Sequence, residues 1–173
     1  MSQQDPVTEF ELKQLHSKAI PAALERAERY RLLNEPAQAE SICLDILRTD
    51  SGNQAAIVLL LLSLSDQFAD SITGNLDRAT ALLPKLIDEY QRNYYRGILH
   101  ERQARAILRR GNPGAGNAAY EKFREAMACY ERAEQIRPPE NDEALLRWNT
   151  CARAIMFARL EPSPKDESTL MLE

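Results

Sequence analysis

Glycine is scarce in this chain, with six in 173 residues, and Ala, Leu, Arg and Glu dominate, a composition that favours an all-helical fold. No long hydrophobic run is present. The longest, Ala55 to Leu62, falls far short of the ~20 residues a membrane span needs, which excludes a membrane-crossing helix there. The first ten residues are polar and acidic, unlike a secretory leader. Cysteine occurs three times, at 43, 129 and 151, never in a C-x-x-C pair and in odd number, so a disulfide framework is not expected. That usage fits a reducing, cytoplasmic setting. The two histidines, His16 and His100, are far apart and stand in no metal-binding motif. The glycine-rich stretch Gly111–Gly116 lacks the Lys-Ser/Thr of a phosphate loop and follows a helical pattern, not a strand. No carboxylate pair is specific enough to name. Neither cofactor nor metal nor catalytic residue is therefore expected.

Strong net charge is missing too. The formal value of −4 argues against the whole molecule being a nucleic-acid binder. The mean hides an asymmetry. Residues 1–91 carry 8 Lys/Arg against 14 Asp/Glu, residues 92–160 carry 13 against 8, and residues 161–173 carry 1 against 4. The order is acidic front, basic back, acidic tail. Hydrophobic residues make up 44%, enough for a packed core.

Turn signals and apolar periodicity divide the chain. Thr8 and Glu11 have the spacing of a capping box, which predicts a short helix to Lys18 with Phe10 and Leu15 inward. Pro21 opens a helix to Leu33 with Leu24, Ala27 and Tyr30 on one stripe. After Asn34-Glu35-Pro36, a second helix over 36–49 turns Ala39, Cys43 and Ile46 inward. The helix expected over 53–69 is apolar nearly all round and belongs at the centre of the molecule. Residues 71–75 read as a loop. A fourth helix over 76–91 buries Leu76, Ala79, Leu83, Leu86, Ile87 and Tyr90, with Pro84 kinking it. Helices over 92–110, 117–137 and 142–160 follow, and 161–173 is an acidic, flexible tail.

The most informative stretch lies in the sixth of these helices. Ala126, Tyr130 and Ala133 fall on one helical face, and Pro138-Pro139 ends the helix. Small residues let a neighbouring helix approach, and the aromatic fills the groove beside them. This pattern resembles the second helix of a tetratricopeptide repeat, a two-helix unit of about 34 residues. Ala27, Tyr30, Ala39, Cys43 and Ile46 keep the same small/large order in a degenerate first repeat. Gly97 and Ala126 stand 29 residues apart, where the repeat has about twelve, so the third repeat has longer helices or a longer connection. The resemblance implies an all-α, right-handed helical-hairpin solenoid of about three repeats over 20–160. The helix over 142–160 caps it, and 1–19 is an N-terminal extension.

The same resemblance places the first helix of each repeat along a concave groove. Tyr94, Ile98, Arg102, Arg105 and Arg109 recur at helical spacing on the fifth helix. The resemblance puts Tyr94, Ile98 and Arg102 in the groove, with Arg153 of the last helix facing it. One reading makes these guanidinium groups a receptor for carboxylates or phosphates, because Arg forms bidentate bonds to both. The other has them solvate a long helix or pair with Glu101, Glu121 and Glu125. A family subtype clamps a terminal carboxylate with Lys and Asn. Here those positions hold Leu24 and Glu28, then Val58 and Leu62, which departs from that subtype and leaves an apolar stretch of Leu24, Val58 and Leu62.

The expected function is a non-catalytic adaptor holding a peptide or acidic segment through Leu24, Val58, Leu62, Tyr94, Ile98, Arg102, Arg105, Arg109 and Arg153. Alternatives are a small assembly or secretion-type chaperone shielding an apolar client segment, or a regulatory subunit of an enzyme. Protein partners are expected, not nucleic acid or membrane. The acidic tail is either free or a ligand for the basic half of a groove, its own or a neighbour's, and homo-oligomers remain open.

Overall fold

The computed structural model describes residues 10–69 and 71–164. Among them are seven α-helices and no strand: α1 (Ile20–Leu32), α2 (Pro36–Thr49), α3 (Gln54–Asp66), α4 (Ile72–Thr80), α5 (Glu89–Arg110), α6 (Ala115–Gln135) and α7 (Glu143–Ala158).

Local chemistry sets most of the boundaries. Pro21 and Pro36 occupy the first turns of α1 and α2, where a missing N–H costs nothing. Between them Asn34 takes a left-handed conformation, φ 60°, which asparagine tolerates better than most residues. Asn53 caps α3 by accepting from Ala56 N–H at 3.0 Å. Asp88 caps α5 by accepting from Tyr90 N–H at 2.8 Å. Asn141 accepts from Glu143 N–H at 3.0 Å at the head of α7. Gly111, at φ 64°, ends α5 with the αL residue that a Cβ would disfavour.

Helices pack chiefly on their neighbours in sequence: α1 on α2, α2 on α3, α3 on α4, α5 on α6 and α6 on α7. Alternate helices also touch, α1 with α3 and α3 with α5. The central position expected for α3 fits, since it meets α1, α2, α4 and α5. Its buried Ser63 and Ser65 return their hydroxyls to the carbonyls of Leu59 and Leu62, so neither is left unsatisfied. Two apolar clusters result. One gathers α1 to α4, with Leu99 and Ala106 of α5, around Ile57, Leu61, Leu64 and Phe68; the other gathers α5 to α7 around Phe123, Met127 and Tyr130. Leu62 and Tyr95 pack against both.

The α5–α6 pair carries the small-and-aromatic motif. Ala126, Tyr130 and Ala133 are fully buried. Tyr130 lies flat against Gly97: a Cβ there would stand 2.5 Å from its Cε1. The long spacing is taken up by long helices, of 22 and 21 residues. Tyr90, Tyr94 and Tyr95 extend the aromatic row, with Tyr94 stacked 5.8 Å from Tyr90 and tilted against Tyr130 at 5.9 Å.

Three expectations are corrected. Residues 10–16 form no helix, only a 3-10 turn follows at Ser17–Ala19, and Phe10 is 79% exposed. Thr8, the expected cap, lies outside the described residues. Leu15 alone is held, half-buried, its carbonyl accepting from Thr49 Oγ1 at 3.1 Å. The second correction concerns α4, which begins at Ile72 inside the expected loop. Third, Pro84 breaks the following helix instead of kinking it. A 3-10 turn, Leu83–Lys85, and an extended Leu86 separate α4 from α5, and Ile87 turns outward at 79% exposure. Proline removes the ladder N–H and crowds the preceding turn, and here the chain stops.

Candidate functional site

The C-terminal ends of α1, α3 and α5 enclose a cleft of about 620 Å³ lined by Arg31, Asn34, Ser65, Asp66, Arg102, Arg105, Leu108 and Arg109. Basic groups in a last helical turn are favoured by the helix dipole, so Arg31 and Arg109 stand where their charge helps the fold. Four arginines facing one aspartate is more than capping requires.

Asp66 organises the floor. One carboxylate oxygen takes Arg31 Nε at 2.6 Å and the other takes Arg102 Nη1 at 2.7 Å. Arg102 also donates to the Leu62 carbonyl at 2.9 Å and to Ser65 Oγ, which in turn donates to that same carbonyl. Burial pulls the Arg102 pKa down and Asp66 opposes the shift; the guanidinium stays cationic at neutral pH. Arg102 is thus the tie between α3 and α5, and it keeps a charged edge towards the cleft.

Arg105 sits on a second carboxylate. Its Nε and Nη2 donate to Glu101 Oε1 at 3.2 and 3.1 Å, and its plane lies 5.8 Å from the centre of the Phe123 ring. Glu101 is only 2% exposed. Its other oxygen accepts from Tyr130 Oη at 2.9 Å, and Arg147 of α7 approaches within 3.6 Å. Burial, then the Glu101 charge, drives the Tyr130 pKa far up, so its hydroxyl is a permanent donor. Arg109 is exposed and pairs with no carboxylate among the described residues.

Comparison with protein-family models, with curated proteins and with solved structures finds no match for this chain. Its chemistry is that of its own side chains.

The stripe expected on α5 is split by its surroundings. Arg102, Arg105 and Arg109 line the cleft. Ile98 is buried in the second cluster, and Tyr94 is half-buried in the tyrosine row, so neither lines it. Leu24, Val58 and Leu62 are half-buried; Val58 and Leu62 pack on core side chains, and none lines the cleft. Arg153 is exposed on α7 and does not line the cleft, and Arg147 is the α7 arginine that reaches Glu101 of α5. The pairing of arginine with Glu101, one of the two readings of the stripe, holds for Arg105.

Arg31, Asn34 and Asp66 were missed. The available signal was their spacing: Arg31 and Asp66 are 35 residues apart, close to the length of the repeat the sequence resembles, at the ends of alternate helices.

Among the described residues nothing else offers better chemistry. Cys43 and Cys151 are buried, with burial pushing their thiols up to about 12, so both stay protonated and poorly nucleophilic. Among the described residues no cluster of His, Cys, Asp or Glu is arranged to hold a metal ion, and no helix is long and apolar enough to cross a membrane.

Proposed function

We propose that the protein is a binding adaptor whose arginine-lined cleft holds an acidic segment of a partner protein. The observation that carries this reading is the imbalance at the cleft, where four guanidinium groups line it against Asp66, and Glu101 beneath Arg105 adds only one further carboxylate. Asp66 and the Leu62 carbonyl hold Arg31 and Arg102 in place, so little side-chain entropy is lost when a ligand carboxylate arrives. Arg105 and Arg109 supply the more open donors, and Leu108 gives an apolar wall. A guanidinium fork matches a carboxylate or a phosphorylated side chain, with Arg favoured over Lys for that geometry.

The scaffold reading that goes with this is a short, right-handed stack of tetratricopeptide-like hairpins in the cytoplasm. It is supported by the α1–α3–α5 series and by the close approach of Gly97 to Tyr130, the small-on-aromatic contact of the resemblance. The test is direct binding of a fluorescein-labelled peptide of alternating Glu and Leu. Arg105→Gln with Arg109→Glu is expected to weaken it at least tenfold, with the circular dichroism unchanged. Raising salt from about 50 to about 300 mM should weaken it as well. Affinity indifferent to both changes refutes the reading.

A second reading, shielding of an apolar client, draws on α7. Leu146, Met156 and Phe157 stand 60, 67 and 94% exposed on it. Binding through that face would persist at high salt and be lost with Phe157→Ser.

A further inference from the structure

The path of the chain after α7 bears on the cleft. Arg159 takes a left-handed turn at φ 50°, and Leu160 folds back, half-buried, against Gly116. The Asn117 side-chain amide then donates to two successive carbonyls, Glu161 and Pro162, each at 3.0 Å. Asn117 lies in the first turn of α6, and only Gly111–Gly114 separates α6 from the last turn of α5. The chain is therefore tied to the first turn of α6, which a four-residue loop joins to the end of α5 that carries Arg109.

Beyond Pro164 the sequence runs Lys165-Asp166-Glu167-Ser168-Thr169-Leu170-Met171-Leu172-Glu173, with three carboxylate side chains, one ammonium and an apolar triplet. The cleft has the complementary set: excess guanidinium and an apolar wall at Leu108. Three residues reach at most ~10 Å and nine at most ~30 Å, which sets how far the acidic pair and the apolar triplet extend from Pro164. A tether this short gives an effective concentration on the order of millimolar, enough for weak contacts to compete with a partner in solution.

We propose that residues 165–173 occupy the arginine cleft in cis, Asp166 and Glu167 on Arg105 and Arg109, so that an outside acidic partner must displace them. This rests on the cleft reading above and adds its regulation: apparent affinity for a partner is the intrinsic affinity multiplied by the fraction of chains whose cleft is open.

The test uses the full chain. The three native cysteines are buried, so a nitroxide on S168C reports one place. Paramagnetic broadening of the backbone amides of Asn34, Ser65 and Arg109 is expected, and it should vanish with Arg105→Gln/Arg109→Glu. The same broadening must fail to appear when nitroxide-bearing chains are mixed with isotope-labelled, nitroxide-free ones. In parallel, D166N/E167Q/E173Q in the full chain should tighten binding of the Glu-Leu peptide three- to tenfold. Absence of broadening at the cleft overturns the proposal, as does broadening that persists in the mixed sample, which would make a neighbouring copy the donor. If the peptide still binds the cleft in either case, the adaptor reading stands and only the cis contact is wrong. If the peptide does not bind, both fall.

Discussion

Replacing Gly97 by alanine is the sharpest test of the packing on which the site depends. In an exposed helix interior this change stabilises, by ~1 kcal/mol, because alanine is the better helix former. Here the added methyl would lie 2.5, 2.7 and 2.9 Å from three ring carbons of Tyr130. Real Cβ atoms do not approach so closely, and the ring must move. It has little room, being fully buried and tied by its hydroxyl to Glu101 at 2.9 Å. Overpacking of this kind costs about 1–3 kcal/mol. Losing a buried hydrogen bond to a carboxylate adds about 1.5–3 kcal/mol if the ring is driven off Glu101. Set against the helix gain, the net with the ring driven off Glu101 is a loss of about 1.5–5 kcal/mol. Urea unfolding of wild type and Gly97→Ala measures it directly, provided the slope is unchanged. A second pair in the Tyr130→Leu background closes the cycle. With the ring gone the clash is gone, and the same substitution should turn neutral or stabilising. A Gly97→Ala protein as stable as wild type, or the same loss in both backgrounds, refutes the account of α5 against α6.

Three further outcomes concern the site and its surroundings. Asp66→Asn leaves two arginines without their counter-charge and should lower stability by about 1–3 kcal/mol in urea unfolding, with Arg102→Leu/Asp66→Leu costing less than the sum of its parts. His100 is half-buried, and burial lowers its pKa below the unfolded value of 6.5 even though Glu125, whose carboxylate is 2.9 Å away, raises it. The unfolded chain then binds the proton first, so this contribution is present above pH 6.5 and is lost as pH falls through the folded pKa; His100→Gln should flatten that limb of stability against pH. The three thiols should resist a thiol-reactive disulfide reagent in the native protein and all react within minutes in concentrated guanidinium, since all are buried. Rapid labelling of Cys43 or Cys151 without denaturant would contradict the described core.

Sequence legibility followed the strength of local signals. Pro21, Pro36, Asn53 and Gly111 act within a turn of themselves, so α1, α2, α3 and α5 could be placed near their true ends. Ala126, Tyr130 and Ala133 were legible as core because periodicity alone puts them on one face. The segment 71–91 was not. Its apolar residues suit either a kinked helix or two elements, and the choice belongs to packing that leaves Ile87 outside while Leu83 and Leu86 go in. The arginine stripe shows the same limit in the site. Helical spacing aligned Ile98 with Arg102, but α6 covers the first and leaves the second at the cleft. The partner of Arg102 was out of reach too, since Asp66 belongs to another helix and only the repeat length hints at the match. Sequence spacing describes one helix at a time, whereas this site is assembled from three.

The two apolar clusters meet at Leu62 and Tyr95, and the arginine cleft sits astride that meeting line, with Arg31 and Asp66 on one side and Arg102 and Arg105 on the other. An occupant gripping both banks would act as a clasp. It would oppose relative motion of the halves, and its free energy of binding would be set partly by how loosely they move without it. Occupancy would then announce itself less as a new shape than as stiffness, in slower amide exchange where α3 meets α5.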